Sequence, residues 1–276
     1  EDLLRGIIIQ SGNDACIVVA EEIAGSEEAF AIIMNDLARD IGLMNTNFTN
    51  STGMFHEDNY STVYDIALLS RYLINKFPNY YHLFAETEFE WSGIKQNNRN
   101  PLLYKEMGAD GLKTGHLSAS GYGLAASAVQ DGRRLISVTN GFSSSKKRSQ
   151  GSARLLTWGF REFTNINISR AGEVFSEIEI PLAKKMAQVT PSQDIKVTVS
   201  KANKDKIIKN VKLTPNISAP LTAGSVVATL EVVLSDTEKV NFDLETLNEV
   251  QKTGIIGRFF SFVINLITSL FSIIFS

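Results

Sequence analysis

The chain has 276 residues, 43% hydrophobic and 21% charged, enough for one large or two modest domains, each with a core of its own. A net charge of −3 gives no electrostatic footing for a nucleic-acid partner. The single cysteine, Cys16, excludes a disulfide framework and a thiolate metal site, and three scattered histidines do not make a zinc site.

Glu1 opens inside what reads as a helix, with Leu3, Leu4, Ile7 and Ile8 apolar and no initiator methionine. The start is therefore expected to be a truncation, and the lack of a targeting signal carries no meaning. Amphipathic helices are predicted over 14–24 and 27–40. The first is expected to bury Ile17, Val18 and Ile23, the second Phe30, Ile33, Met34 and Leu37. Gly25 separates them, and Glu27 and Glu28 suit the positive end of the second. Residues 45–59 are dense enough in Asn, Thr, Ser and Gly to be loop. Another helix is predicted over 63–76, opened by Thr62 with Asp65 at the capping-box spacing.

Segments 108–115, 121–130 and 133–142 are apolar and punctuated by glycine, and Asp131-Gly132 between the last two signals a tight hairpin. A helix over 149–163 is expected to close a first domain, 1–168. Composition changes near Ile168. Short alternating runs such as Lys196-Val197-Thr198-Val199 predict a small all-β domain over 169–250 without a catalytic constellation.

Residues 254–276 differ again. With side chains stepping about 100° apart, Arg258, Ser261, Asn265, Thr268, Ser269, Ser272 and Ser276 share one arc of about 100°. Every Phe, Ile, Leu and Val from Phe259 to Phe275 lies outside that arc. Such a helix would be roughly 35 Å long, enough to span a bilayer, but a continuous polar stripe suits a helix lying in the interface. A membrane anchor is expected, with both geometries open.

Two short motifs carry chemistry. Lys113-Thr114-Gly115-His116 places Lys113 and Gly115 on one strand face and Thr114 on the other. Lys113 offers a fixed positive charge to a carboxylate, Thr114 a hydroxyl, and Gly115 removes a side chain that would hold a ligand off the strand edge. A plain turn before a hairpin accounts for the same letters, and Lys252-Thr253-Gly254 is a second copy that reads as coincidence. Ser11-Gly12-Asn13 can cap the next helix through Ser11 or Asn13, and can point a hydroxyl and an amide into a cleft; neither reading excludes the other.

Longer stretches carry a resemblance: IQSGNDAC (9–16), MNDLARDIGLMNTNFTNSTG (34–53), NNRNPLLY (97–104), DGLKTGHLSASGYG (110–123) and LLTWGF (155–160). Together they resemble the low-molecular-mass penicillin-binding proteins, the D-alanyl-D-alanine carboxypeptidases of peptidase family S11. The resemblance implies an α/β (α+β) transpeptidase and β-lactamase-like catalytic domain, followed by a small β-sandwich domain and an amphipathic C-terminal anchor. It also implies a third motif, S-x-x-K with the nucleophilic serine and its lysine base, N-terminal to Ser11. Residues 1–10 contain no serine. Chance matches at Ser92/Lys95, Ser143/Lys146 and Ser144/Lys147 come in the wrong order, the last two in an expected loop. As it stands the chain is expected to be inactive.

By that resemblance, Lys113 neutralises the terminal carboxylate of a peptidoglycan stem peptide or β-lactam, and Thr114 hydrogen-bonds it. Ser11 joins the proton relay to the leaving D-alanine, and Asn13 holds the substrate amide. Arg99 and Arg148 match arginines near the carboxylate pocket. His116 takes a site-edge position, either as a polar strand end or with a direct role. His56, His82 and Cys16 are read as structural. No metal or cofactor is implied. Localisation at the outer face of the bacterial cytoplasmic membrane is implied, with a membrane surface as partner. A tethered peptidoglycan-binding pseudoenzyme is the alternative from another class, and a serine β-lactamase a weaker one.

Overall fold

In the computed structural model, which describes residues 1–254, the chain divides into two units: Glu1–Arg161, and a second from Glu162 to the end of the described residues. The first begins with α1 (Asp2–Arg5), which runs into a π-helical stretch, Gly6–Gln10. Then come α2 (Asn13–Ala24) and α3 (Glu27–Asp40), where Ser26 caps α3 by accepting from the Ala29 amide at 3.1 Å. The α4 helix (Val63–Lys76) is capped by Thr62, which accepts from the Asp65 amide at 3.0 Å. The Asp65 carboxylate does not reciprocate. It accepts instead from the Asn45 amide and the Thr46 hydroxyl, pinning the preceding loop.

The predicted buried faces of α2 and α3 need correction. Val18, Ile23, Ile33 and Leu37 are exposed, Ile23 to 61%, and the residues buried are Ala20, Ala31 and Ala38. The two helices lie against each other, and small side chains are what let helix backbones approach closely. Periodicity alone reports polarity and not this size requirement.

After a short α5 (Pro78–Tyr81), a hairpin of β1 (Glu88–Trp91) and β2 (Ile94–Asn97) forms where none was expected. Its signal is Ser92-Gly93, both at positive φ, the two-residue turn that matches strand twist. The sheet that matters for the site has the order β3-β4-β5, all antiparallel: β3 (Ala109–Leu117), β4 (Gly121–Gln130) and β5 (Arg133–Phe142). Asp131 and Gly132 turn β4 into β5 at φ 49° and 72°. Leu124, Ala126 and Ala128 alternate along β4 onto one face, where they pack with Leu156 of α6 (Ser145–Glu162). That helix starts four residues before the predicted 149, because Ser144 caps it by accepting from the Lys147 amide. Arg148 therefore sits in its first turn and not in a loop.

In the second unit, β6 (Phe163–Ser169) pairs with β9 (Ile195–Ser200). The remaining strands, β7 (Ser176–Ile178), β8 (Ala187–Pro191), β10 (Ile208–Leu213), β11 (Val226–Val233) and β12 (Lys239–Thr246), form a sheet of order β10-β11-β12-β8-β7. Ile195, Val197 and Val199 alternate inward from β9 to meet Val189, Val227, Leu230, Val232 and Leu244 in one core. The first unit is thus mixed α and β, the second all-β. No helix among the described residues is long and apolar enough to cross a membrane. The helix predicted over 254–276 falls, from residue 255 on, outside the described residues.

Candidate active site

The β3 strand is an edge of its sheet, and Lys113 stands at its middle. Three side chains fix the strand just before it. The Asn100 amide, 1% exposed, donates to the Gly111 carbonyl at 2.8 Å and accepts from the Leu102 amide. Asn98 accepts from the Asn100 amide and donates to the Glu86 carbonyl. Asp110 accepts from the Tyr81 hydroxyl at 2.9 Å and pairs with Arg134 at 2.7 Å.

The π-helical stretch ends on Ser11, which adopts a left-handed conformation (φ 55°, ψ 43°). Gly12 is the N-cap of α2 and no side chain caps it. The capping account of Ser11 and Asn13 therefore fails. Ser11 Oγ instead accepts from Lys113 Nζ, a contact bridging 102 positions of sequence. Lys113 also donates to the Thr114 carbonyl. Asn13 is exposed at the first position of α2, with no side-chain hydrogen bond among the described residues.

The register seats Lys113 and Gly115 on one face of β3, and Thr114 and His116 on the face that meets α6. A Cβ built on Gly115 would meet nothing within 4 Å, so the strand edge is open to a ligand there. His116 stacks on Tyr122 of β4 with centroids 3.8 Å apart. Arg148, 7% exposed, reaches back from α6 to donate to the Arg99 carbonyl at 3.4 Å. Arg99 itself is exposed.

The charges explain what this surface attracts. Burial pushes the Lys113 ammonium down to about 8, helped by the neighbouring cations Arg99 and Arg148. Burial also lowers Arg148. Arg99 and Arg148 lie close enough to Lys113 to act on its charge, beside the Ser11 hydroxyl, a set for an anion and not for a metal.

Ser11, Lys113, Thr114, Gly115, His116, Arg99 and Arg148 are thus gathered around one strand edge. Two neighbours escape sequence reading. Cys16 is close enough to Lys113 for each to influence the other, with burial raising the thiol and Lys113 opposing it. Its position three after Asn13, one helical turn on, was the available signal. Tyr122 is the other, and its signal was the hairpin register that brings it opposite His116.

The misplaced S-x-x-K matches are engaged elsewhere. Ser92 forms the β1–β2 turn and Lys95 pairs with Glu88 at 2.7 Å, while Lys147 Nζ donates to Ser143. In the second Lys-Thr-Gly, the Thr253 amide donates to the Leu182 carbonyl and its hydroxyl to the Ala183 carbonyl.

A family model described as D-alanyl-D-alanine carboxypeptidase matches residues 1–143, and one for the penicillin-binding protein 5 C-terminal domain matches 163–252. D-alanyl-D-alanine carboxypeptidase DacD of Salmonella typhimurium is 38% identical over 93% of this chain and 67% of its own length. The crystal structure of penicillin-binding protein 5 from Haemophilus influenzae aligns with TM-score 0.82 at 36% identity, over 91% of this chain and 74% of that one. Penicillin-binding protein D2 from Listeria monocytogenes, solved in its ampicillin-bound form, aligns at 29% identity with TM-score 0.54, over 58% of this chain and 66% of that one.

Proposed function

The chain belongs to the D-alanyl-D-alanine carboxypeptidase family, and on that premise we propose that it forms most of a penicillin-sensitive enzyme that removes the last D-alanine from peptidoglycan stem pentapeptides. The observation that carries this reading is the contact of Lys113 Nζ with Ser11 Oγ at an open strand edge. It joins a carboxylate-binding cation to a hydroxyl able to pass a proton.

In this mechanism Lys113, with Arg148 and Arg99 behind it, holds the peptide's terminal carboxylate, and Thr114 donates a hydrogen bond to it. Asn13 holds the amide of the preceding residue. The nucleophile is the serine of an S-x-x-K segment N-terminal to Ser11, with that segment's lysine, in its neutral form, as base. The serine oxygen bonds to the carbonyl carbon of the penultimate D-alanine while its proton passes to that lysine. The carbon–nitrogen bond then breaks, and the departing amine takes the proton through Ser11. Water hydrolyses the remaining ester. Backbone amides, one of them on β3 near His116, stabilise the oxyanion. A β-lactam, carrying a carboxylate beside its strained amide, occupies the same position; the ampicillin-bound Listeria relative supports this.

The same reading assigns residues 1–168 to the catalytic domain, 169–250 to a spacer and 254–276 to an anchor on the membrane surface. That arrangement suits an envelope enzyme facing the peptidoglycan from the outer side of the cytoplasmic membrane. The test is release of free D-alanine from a pentapeptide by full-length protein carrying S-x-x-K. Release that is abolished by Lys113→Ala supports the reading. A folded, full-length protein that binds peptidoglycan and releases none is the pseudoenzyme.

A further inference from the structure

Arg148 is held in an unusual way. It is 7% exposed; among the described residues its Nε has no hydrogen-bond partner, and the one bond its side chain makes, to the Arg99 carbonyl, is long at 3.4 Å. A buried guanidinium with so few donors satisfied is not fixed by hydrogen bonding. What it does meet is the ring of Tyr122, with the guanidinium carbon 5.8 Å from the ring centroid.

The same ring holds a second site residue. The β3–β4 register sets His116 opposite Tyr122, with ring planes 28° apart and centroids 3.8 Å apart. One half-buried ring thus contacts both His116, on the substrate strand, and Arg148, on α6. The Tyr122 hydroxyl itself makes no hydrogen bond among the described residues.

From this geometry we propose that Tyr122 is a positioning residue whose ring, and not its hydroxyl, sets Arg148 and His116 for the substrate carboxylate. The inference rests on the carboxypeptidase reading. An aliphatic side chain removes both the stacking surface and the electron-rich face that attracts a cation, leaving Arg148 free to turn and His116 without its platform. A phenylalanine keeps both.

The test compares Tyr122→Leu and Tyr122→Phe in the full-length enzyme, with a D-alanyl-D-alanine-terminated peptide as substrate. Tyr122→Leu raises KM about tenfold, the scale of a desolvated cation–π contact, with kcat within about twofold. Tyr122→Phe keeps both at the wild-type value, and both variants melt cooperatively. In proton NMR of the same proteins, the upfield ring-current shift of the His116 imidazole is present in wild type and Tyr122→Phe and lost in Tyr122→Leu. A folded Tyr122→Leu with wild-type KM, or a Tyr122→Phe as damaged as the leucine variant, overturns this inference and leaves the carboxypeptidase reading standing. A wild-type enzyme without turnover overturns that reading, and this one with it.

Discussion

Lys113 donates to the hydroxyl of Ser11, joining the middle of an edge strand to a left-handed residue at the end of a π-helical stretch. Ser11 caps no helix, and Lys113, besides a bond to the neighbouring Thr114 carbonyl, gives its ammonium to Ser11 alone among the described residues. Two side chains held together at an open edge act as a unit, and their substitutions should not add.

Ser11→Ala is expected to lower kcat/KM of the full-length enzyme by about a hundredfold, the usual scale for a lost proton-transfer group. Lys113→Ala costs at least as much. The double variant should be hardly worse than the poorer single one, since the second change removes a group already disabled. Steady-state kinetics on the four proteins checks this. Fully multiplicative losses would mean that the two residues act independently.

The buried ammonium makes a second expectation in which stability and activity move oppositely. Lys113 ordinarily titrates at 10.5 and here at about 8. Between those values the unfolded chain binds more protons than the folded one, so stability rises with pH across that window. Below about pH 8 the cost of burying the charge is fully present. Lys113→Met should therefore raise the melting temperature at pH 7, by an amount worth about 1–2 kcal/mol after its lost hydrogen bonds are counted, while abolishing activity. In the wild-type enzyme, KM for a carboxylate-bearing peptide should rise as pH climbs past about 8 and Lys113 loses its charge. Differential scanning calorimetry at pH 7 and 10, with KM measured from pH 6 to 9.5, tests both signs.

Asn100 gives a purely structural contrast. Its amide bonds the Gly111 carbonyl and the Leu102 amide from a site 1% exposed. Asn100→Ala strands both groups and should cost about 2 kcal/mol, whereas Asn97→Ala, on the exposed strand beside it, should stay within about 0.5 kcal/mol. Denaturant unfolding distinguishes them, and equal stabilities would refute the role given to the Asn98–Asn100 turn.

In the second unit, Glu231 accepts from Lys212 at 2.9 Å, Lys239 at 3.1 Å and Asn210 at 3.4 Å. These bonds hold its carboxyl down at about 2, from an ordinary 4.5. Its contribution is present above about pH 4.5 and is lost as pH falls toward 2. Glu231→Gln should thus lose the part of acid destabilisation that falls in that window. A carboxyl titrating near 4.5 by carbon-13 NMR would contradict the assignment.

How much of this was legible in the sequence depends on the range of the cause. Asp131-Gly132 dictates a tight turn by itself, so the β4–β5 hairpin could be read from two letters, as could the cap of α4 from Thr62. The family was readable because five ordered blocks run through the first unit, and the all-β class of the second from its short alternating runs. The buried alanines of α2 and α3 were not, since which side of a helix packs depends on the size of its neighbour. The site is legible as letters, Ser-Gly-Asn and Lys-Thr-Gly-His, yet its geometry is not. Contact between Ser11 and Lys113 crosses 102 positions, and Tyr122 enters only through strand register. Arg148 lay just ahead of the helix expected from 149, and the cap by Ser144 puts it in the first turn of α6.

That this strand edge serves an acyl-enzyme has a covalent consequence. It is tested most directly by the intact mass of the full-length protein after incubation with benzylpenicillin. One added penicilloyl group is expected, mapped to the serine of an S-x-x-K segment N-terminal to Ser11, and its loss in Lys113→Ala. A folded, full-length protein that gains no mass, or gains it on Ser11, rules the acyl-enzyme at this edge out.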